Sequence, residues 1–226
     1  MPYSPSARLH LKNPMTLMNT PTFSLVVGTG NVKKLRELQS VLSDLPIELR
    51  SLADFSNALD VDETGDTFAA NARLKATEQA RHLNRWVIAD DSGLAVDSLD
   101  GAPGIFSARY AGTHGDDKAN NQKLLRELDG VSDERRGAAF VCALCVASPD
   151  GSVRAESQAR CRGRILRSDR GQAGFGYDPL FEIPEYHRTF AELGLAVKKA
   201  ISHRSIAMRL LKPQLARLVR DAEDVG

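Results

Sequence analysis

The stretch that decides the fold is Trp86-Val87-Ile88-Ala89-Asp90-Asp91-Ser92-Gly93-Leu94-Ala95-Val96. Its apolar start predicts a buried strand, and apolar residues return at Leu94 and Val96. Between them, two carboxylates and a Ser-Gly pair predict that the chain turns between two strands. Neighbouring side chains of an extended segment point to opposite faces, so at most one of Asp90 and Asp91 is expected to face a given cleft unless the strand twists.

The acidic pair has two interpretations that the residues alone leave open. Two acids at the end of a strand are a natural seat for a divalent cation, which takes oxygen ligands. Aspartates in a turn also commonly bond nearby backbone amides without any further role.

Composition indicates an ordinary globular protein. The 226 residues correspond to one large domain or two small ones, with 42% apolar and 26% charged residues. A net charge of +1 gives no general attraction to nucleic acid or a membrane surface, so neither is expected as a stable partner. No apolar run approaches the roughly 20 residues of a membrane span.

The ends and the cysteines bear on the cellular context. Residues 1–22 mix polar residues and prolines without periodicity, which predicts a disordered leader and not a secretory signal; residues 23–226 form the single expected domain. An odd number of cysteines favours reduced thiols and a cytoplasmic location. Cys142 and Cys145 fall in a predicted strand, on opposite faces, and these two and Cys161 are all interpreted as core or near-core residues.

A candidate phosphate site follows the first predicted strand, Phe23–Val27. The loop Gly28-Thr29-Gly30-Asn31 leads into an amphipathic helix. This geometry points backbone N–H groups and the positive helix end at one place, where Lys33 and Lys34 can add charge. An ordinary turn with Asn31 as N-cap is the alternative.

A second helix is predicted from Thr67 as N-cap, with an alanine face against the sheet and Asn71 and Lys75 on the polar face. The acidic loop before it contains Glu63. This side chain is either a second metal ligand or a solvated acid that favours the helix dipole.

The second half predicts a hairpin of strands 138–148 and 153–162, then a Gly-rich aromatic loop, Gly171–Phe181. An aromatic side chain held by such backbone offers a flat face for a base. The last helix carries Ile206, Leu210, Leu215 and Leu218, and Pro213 is expected to kink or split it. Together the elements predict an α/β fold, with a mixed central sheet flanked by helices and two lobes around a nucleotide-binding cleft.

Four blocks stand along the chain in a fixed order: Thr29-Gly30-Asn31-Val32-Lys33-Lys34, Asp90-Asp91-Ser92-Gly93, Gly174-Phe175-Gly176-Tyr177-Asp178-Pro179 and Ser202-His203-Arg204. In this order they resemble the inosine triphosphatase family, the Ham1-like non-canonical purine nucleoside triphosphate pyrophosphatases, in its bacterial form. The resemblance spans Phe23 to Leu218, and Glu63-Thr64-Gly65 with Asn71 and Lys75 also fits it.

The resemblance implies hydrolysis of dITP, ITP and XTP to monophosphate and pyrophosphate with Mg²⁺, in a homodimer. It implies Asp91 as proton acceptor and metal ligand, Glu63 as a second metal ligand, and Asp90 and Lys75 in support. Many bacterial members have glycine where Lys33 stands, so Lys34 takes the place of the motif lysine. The substrate contacts that it implies are Thr29, Gly30, Asn31, Val32, Lys33, Lys34, Ser92, Phe175, Gly176, Tyr177, Asp178, Lys198, His203 and Arg204.

Two rival functions stay open. The related Maf-like group cleaves pyrimidine or methylated nucleotides, and the Ser202-His203-Arg204 block favours the purine group over it. A silent nucleotide- or RNA-binding module would use the arginines between Arg160 and Arg170. The net charge and the intact acidic pair argue against that module.

Overall fold

The computed structural model describes residues 23–29 and 32–223. The predicted leader, Gly30 and Asn31 lie outside the described residues, and the single-domain assignment stays a prediction. The strands are β1 (Phe23–Val27), β2 (Ile47–Ser51), β3 (Val87–Val96), β4 (Gly137–Ala147), β5 (Val153–Ile165), β6 (Phe181–Ile183) and β7 (Arg188–Thr189). The α-helices are α1 (Val32–Leu42), α2 (Phe68–Leu83), α3 (Asp117–Glu127), α4 (Phe190–Ile201) and α5 (His203–Glu223).

The strands form one mixed sheet in the order β2-β1-β3-β4-β5-β6-β7. The first three are parallel, and every pairing from β3 to β7 is antiparallel. The predicted fold class, a mixed central sheet flanked by helices, is confirmed. The expected hairpin is present as β4 and β5.

The prediction of a turn at the acidic pair is wrong. β3 runs through it without interruption and pairs with β4 from Val87–Ala147 to Val96–Ala138. Its pairing with β1 ends at Val27–Ile88, so β3 continues past the end of β1. The acidic pair lies on this extension, and the charges that stabilise it there come from distant parts of the chain.

Helices cover both faces of the sheet. On one face, α1 and α5 bury Leu38, Met208 and Leu211 against Leu25 and Ile88. On the other, the predicted alanine face of α2 (Ala72, Ala76 and Ala80) packs on Val87, Ala89 and Cys145. Small side chains let this helix approach the sheet closely, and Thr67 caps it through the Ala70 N–H, as predicted.

A third apolar cluster fills the far half of the sheet around Phe140, Phe181 and Phe190. The cysteines are buried and unpaired as predicted, with Cys142 and Cys145 in clusters on opposite faces. Within the described residues, no helix combines the length and the apolar character required to cross a bilayer.

The C-terminal helices differ from the sequence prediction. α5 is a single helix through Pro213, and Leu210 is 54% exposed while Leu211 is fully buried. The apolar stripe therefore follows Met208, Leu211, Leu215 and Leu218. The sequence analysis did not predict α4, whose continuity is broken at Gly194 by a φ of 74°.

Candidate active site

A cleft of ≈ 590 Å³ lies where β3 outruns β1. A volume of this size suits a small-molecule ligand. Of the sequence-predicted site residues, those lining it are Thr29, Lys34, Glu63, Lys75, Asp90, Asp91, Ser92, Phe175, Gly176, Tyr177, Asp178, Lys198, His203 and Arg204. Val32 and Lys33 form the start of α1.

Asp90 faces α1 and α5. Its Oδ2 lies 2.8 Å from Lys34 Nζ and 3.5 Å from Arg204 Nε, and it accepts a hydrogen bond from the Ser92 hydroxyl at 3.3 Å. Burial alone would raise the pKa of this carboxyl, but Lys34 and Arg204 hold its pKa well below the ordinary range. Asp90 is therefore ionised and part of the scaffold.

Asp91 faces α2. Lys75 Nζ lies 3.0 Å from its Oδ1, and Asn71 Nδ2 donates to its Oδ2 at 3.4 Å. Burial raises the pKa of Asp91, and Lys75 opposes this shift only in part. At Lys75, burial has the opposite effect and lowers the pKa, because here the charged form is the protonated one. Asp91 and Glu63 more than offset this effect, so the pKa of Lys75 is raised overall. A partly desolvated carboxylate of this kind is suited to accept a proton.

Both carboxylates line the one cleft, although they belong to opposite faces of the sheet. The expectation that only one of them faces a given cleft is therefore wrong. The physical reason is that the pairing of β1 with β3 ends at Ile88, so no described residue of β1 lies beside the acidic pair, and side chains from both faces of β3 reach the cleft at this edge.

The residues fit a magnesium site by donor chemistry. Lys75 Nζ contacts both Asp91 Oδ1 and Glu63 Oε1, the latter at 2.9 Å, so two carboxylates converge on one cationic group inside the cleft. Mg²⁺ is commonly held by one or two carboxylates together with water and substrate phosphates. Among the described residues, no three His, Cys, Asp or Glu side chains form an all-protein metal cluster.

Arg204 links α5 to two other parts of the site. Its Nη1 donates to Glu37 Oε2 at 2.7 Å and its Nη2 to Ser92 Oγ at 3.0 Å. Burial alone would lower the pKa of this guanidinium, but Asp90 and Glu37 raise it, so Arg204 is a permanent, fixed cation.

His203 lies beside Arg204 and stacks on Phe140, with ring centroids 4.9 Å apart. Burial and the neighbouring Arg204 lower its pKa well below the ordinary value, so the ring is neutral. Its Nδ1 is buried and has no hydrogen-bond partner. The site therefore offers a neutral ring with one donor nitrogen and one acceptor nitrogen.

The aromatic platform of the cleft is the ring of Phe175. The Phe175 N–H donates to Asp178 Oδ2 at 3.0 Å, and Lys198 Nζ lies 4.6 Å from the centre of the Phe175 ring. Lys198 also pairs with Asp178. Burial raises the pKa of Asp178 above its usual value in spite of that lysine.

Sequence reasoning missed several residues that hold the site. The residue pattern placed Asn71 on the polar face of α2, and the family resemblance included it without a role. In the structure Asn71 is completely buried, and its Oδ1 also accepts from Gly65 N at 2.8 Å. The four-residue spacing from Lys75 could have identified it, since such residues share a helix face. No local sequence pattern indicated a role for Glu37 or Ser107. Glu37 binds Arg204, and the Ser107 carbonyl accepts a hydrogen bond from the Tyr177 hydroxyl at 2.9 Å.

Comparison with known proteins gives a consistent result. A model described as the Ham1 family matches residues 25–214. A protein of Rhodopirellula baltica named dITP/XTP pyrophosphatase is 63% identical over 198 residues, which cover 88% of this chain and 95% of that protein. A Geobacillus kaustophilus protein of the same name is 51% identical, over 86% of this chain and 95% of its own length.

Solved structures agree. The structure of a HAM1 protein from Coxiella burnetii has a TM-score of 0.81 and 38% identity, over 86% of this chain and 99% of that one. A Mycobacterium abscessus structure titled nucleoside-triphosphatase, dITP/XTP pyrophosphatase, has a TM-score of 0.72 and 46% identity, over 84% and 99%. The resemblance read from the four sequence blocks is confirmed, and the chain belongs to the Ham1 family.

Proposed function

We propose that this protein hydrolyses the non-canonical purine nucleoside triphosphates dITP, ITP and XTP to the monophosphate and pyrophosphate, which keeps deaminated purines out of DNA and RNA. The observation that carries the proposal is the lining of this one cleft. It brings together carboxylates paired with lysines, the His203-Arg204 pair and the aromatic ring of Phe175. The names of the relatives support dITP and XTP among these substrates.

Asp91 is the proposed proton acceptor. Cleavage joins a water oxygen to the α-phosphorus and breaks its bond to the oxygen of the departing pyrophosphate, while the water proton goes to the Asp91 carboxylate. Lys34 and Lys75 balance the charge of the triphosphate, which would otherwise be repelled by the acids. Gly28 and Thr29, the described part of the predicted phosphate loop, also line the cleft.

Asp91 and Glu63 are the proposed ligands of Mg²⁺. The ion, when bound, supplies positive charge to the phosphate oxygens and the leaving pyrophosphate. Glu63→Gln is expected to raise the Mg²⁺ concentration needed for half-maximal activity, and calorimetry of Mg²⁺ with the protein should show weaker binding. Unchanged Mg²⁺ affinity would remove Glu63 from the ligand set.

Base choice is assigned to His203 and Arg204. Hypoxanthine, xanthine and guanine present an acceptor at position 6, whereas adenine presents an amino donor, so protein donors here reject adenine. Guanine is excluded at position 2, where backbone around Phe175–Asp178 denies its amino group a partner while Phe175 stacks on the base. If Arg204→Ala kept the full preference for ITP over ATP, the assignment to Arg204 would be wrong.

The test of function is pyrophosphate release with Mg²⁺ from ITP, dITP, XTP, ATP, GTP, CTP and UTP, with Asp91→Asn as control. Release from the non-canonical purines, lost in the control, is the expected result. Release mainly from pyrimidine triphosphates would favour Maf-like chemistry. No release from any of the seven would favour a binding module.

We further propose that the protein works as a cytoplasmic homodimer without a stable nucleic-acid partner. Its buried, unpaired thiols suit a reducing compartment. Light scattering coupled to gel filtration should give twice the 24.6 kDa mass of one chain.

A further inference from the structure

Helix α3 holds the backbone next to the aromatic platform. Asp117 Oδ2 accepts a hydrogen bond from the Gly176 N–H at 2.7 Å, and Asn121 Nδ2 donates to the Gly176 carbonyl at 3.0 Å. Four residues separate Asp117 from Asn121, so they share one face of the helix. The N–H and the carbonyl of Gly176 are thus both held by side chains that lie outside the loop.

The loop needs such support. Gly174 and Gly176, on either side of Phe175, have φ angles of 88° and 61°, in the left-handed region that favours glycine. Glycines leave the backbone free to adopt many other conformations, so the position of the ring depends on its anchors. Asp178 anchors the Phe175 N–H, and α3 supplies the anchor on the other side.

We propose that Asp117 and Asn121 are positioning residues that set the place and plane of the Phe175 ring for stacking on the purine. They act through Gly176. The inference rests on the proposed function, since it takes the aromatic platform to be the base site. The lysines proposed to face the polyphosphate, Lys34 on α1 and Lys75 on α2, are held by ion pairs with Asp90 and Asp91 that involve no α3 residue, although Asp117 also lines the cleft.

This independence gives the inference a specific signature. Loss of the α3 anchors should weaken ligands that carry a base and leave base-free polyphosphate binding unchanged. Base stacking on an aromatic ring commonly changes affinity by about ten-fold or more. General damage to the fold would weaken both kinds of ligand.

The main variant is Asn121→Asp, which replaces the donor facing the Gly176 carbonyl by an acceptor. Gln122→Glu is the matched control, because it makes the same amide-to-acid change at the next, exposed position of α3. Asp117→Ala removes the other anchor independently, and Asp117→Asn retains an acceptor for the Gly176 N–H. Because Asn121→Asp and Asp117→Ala each remove one anchor, the proposal can still be tested with one variant if the other fails to fold.

Binding of inosine monophosphate and of inorganic triphosphate is measured by calorimetry for each full-length variant. Asn121→Asp and Asp117→Ala should raise the Kd for inosine monophosphate at least about five-fold, with the triphosphate Kd changed less than about two-fold. Gln122→Glu and Asp117→Asn should stay within about two-fold of wild type for both ligands. With substrate, the loss should fall on KM and not on kcat.

Equal weakening of both ligands, or no change in either, would overturn the positioning role while leaving nucleotide hydrolysis intact. Wild-type protein that binds neither ligand would refute the proposed nucleotide site, and the inference with it.

Discussion

Asp90 and Asp91 are adjacent in one strand, yet their carboxylates are held by different lysines on opposite faces of the sheet. Lys34 Nζ lies 2.8 Å from Asp90, and Lys75 Nζ lies 3.0 Å from Asp91. Their pKa values move in opposite directions, since two cations outweigh burial at Asp90 and burial prevails at Asp91. One acid is therefore structural, and the other is suited to chemistry.

Two isosteric substitutions should separate these roles. Asp90→Asn removes the counter-charge that the almost fully buried Arg204 shares with the partly buried Lys34, and should lower the free energy of unfolding by about 3 kcal/mol. Asp91→Asn removes a carboxylate that burial disfavours, so stability should change by less than about 1 kcal/mol while turnover falls at least about 100-fold. Urea unfolding and pyrophosphate release measure the two effects. Equal loss of stability in both variants would contradict the division.

His203 should make stability depend on pH. Its pKa is lowered in the folded protein, so between that value and the ordinary value near 6.5 the unfolded chain binds an extra proton. Its contribution to stability is complete above about pH 6.5 and is lost as the pH falls, by up to about 1.4 kcal/mol per pH unit.

The matched variant is His203→Phe, which keeps a ring to stack on Phe140 and removes the titrating group. When the pH is lowered from 7.5 to 5.5, the unfolding free energy of the wild type should fall by about 1 kcal/mol more than that of the variant. If the stabilities of the two proteins changed equally with pH, His203 would bind a proton as readily in the folded protein as in the unfolded chain, which would contradict the prediction.

Gly93 should not accept a side chain. A Cβ there would lie 2.7 Å from the Gly104 carbonyl oxygen and would overlap the Ser107 hydroxyl. Gly93→Ala should therefore destabilise the protein by about 2–3 kcal/mol, as overpacking of a filled core does. Gly28→Ala is the comparison, because its Cβ would stay 3.2 Å from the nearest atom.

Adding Ser107→Gly to Gly93→Ala should recover part of that loss, since it removes the overlapping side chain but not the Gly104 carbonyl. Thermal unfolding of the wild type, Gly93→Ala, Ser107→Gly and the double variant completes the double-mutant cycle. Additive effects would mean that the two sites do not clash.

The three thiols should be inert in the native protein. Burial raises the pKa to about 12 for Cys142 and Cys145 and to about 11 for Cys161, so thiolate, the reactive form, is scarce at pH 8. Intact-mass measurement after iodoacetamide should show no adduct on folded protein and three after unfolding in urea. An adduct on the folded protein would contradict the prediction and would show that at least one thiol becomes accessible to solvent.

Elements with a local apolar period could be predicted from the sequence. The strand at Phe23, the alanine face of α2 and the β4–β5 hairpin follow from residue spacing alone, because each face is buried by an apolar neighbour. β3 could not be predicted in this way. Local turn chemistry at Asp90–Gly93 competes there with ion pairs to Lys34 and Arg204, and the distant contacts win.

The chemical groups of the site were predictable as motifs, whereas the residues that hold them were not. Glu37 meets Arg204 across 167 positions, and Asn121 meets Gly176 across 55. Each is an ordinary polar residue on a helix, and only the folded arrangement distinguishes it from a solvated one. The spacing that links Asn71 to Lys75 is the exception, because it lies within one helix.

The bridge from Glu37 through Arg204 to Ser92 has a consequence for how the protein becomes active in the cell. Arg204 stands at the start of the last helix, and its two partners are made far earlier in synthesis. Until that helix docks, Asp90 lacks one of its two cations and the cleft lacks a wall. Contacts of such long sequence separation are slow to form, because a long stretch of chain must first be closed into a loop. In a chain synthesised from its N-terminus, the cleft is therefore complete only after α5 has been made and has docked.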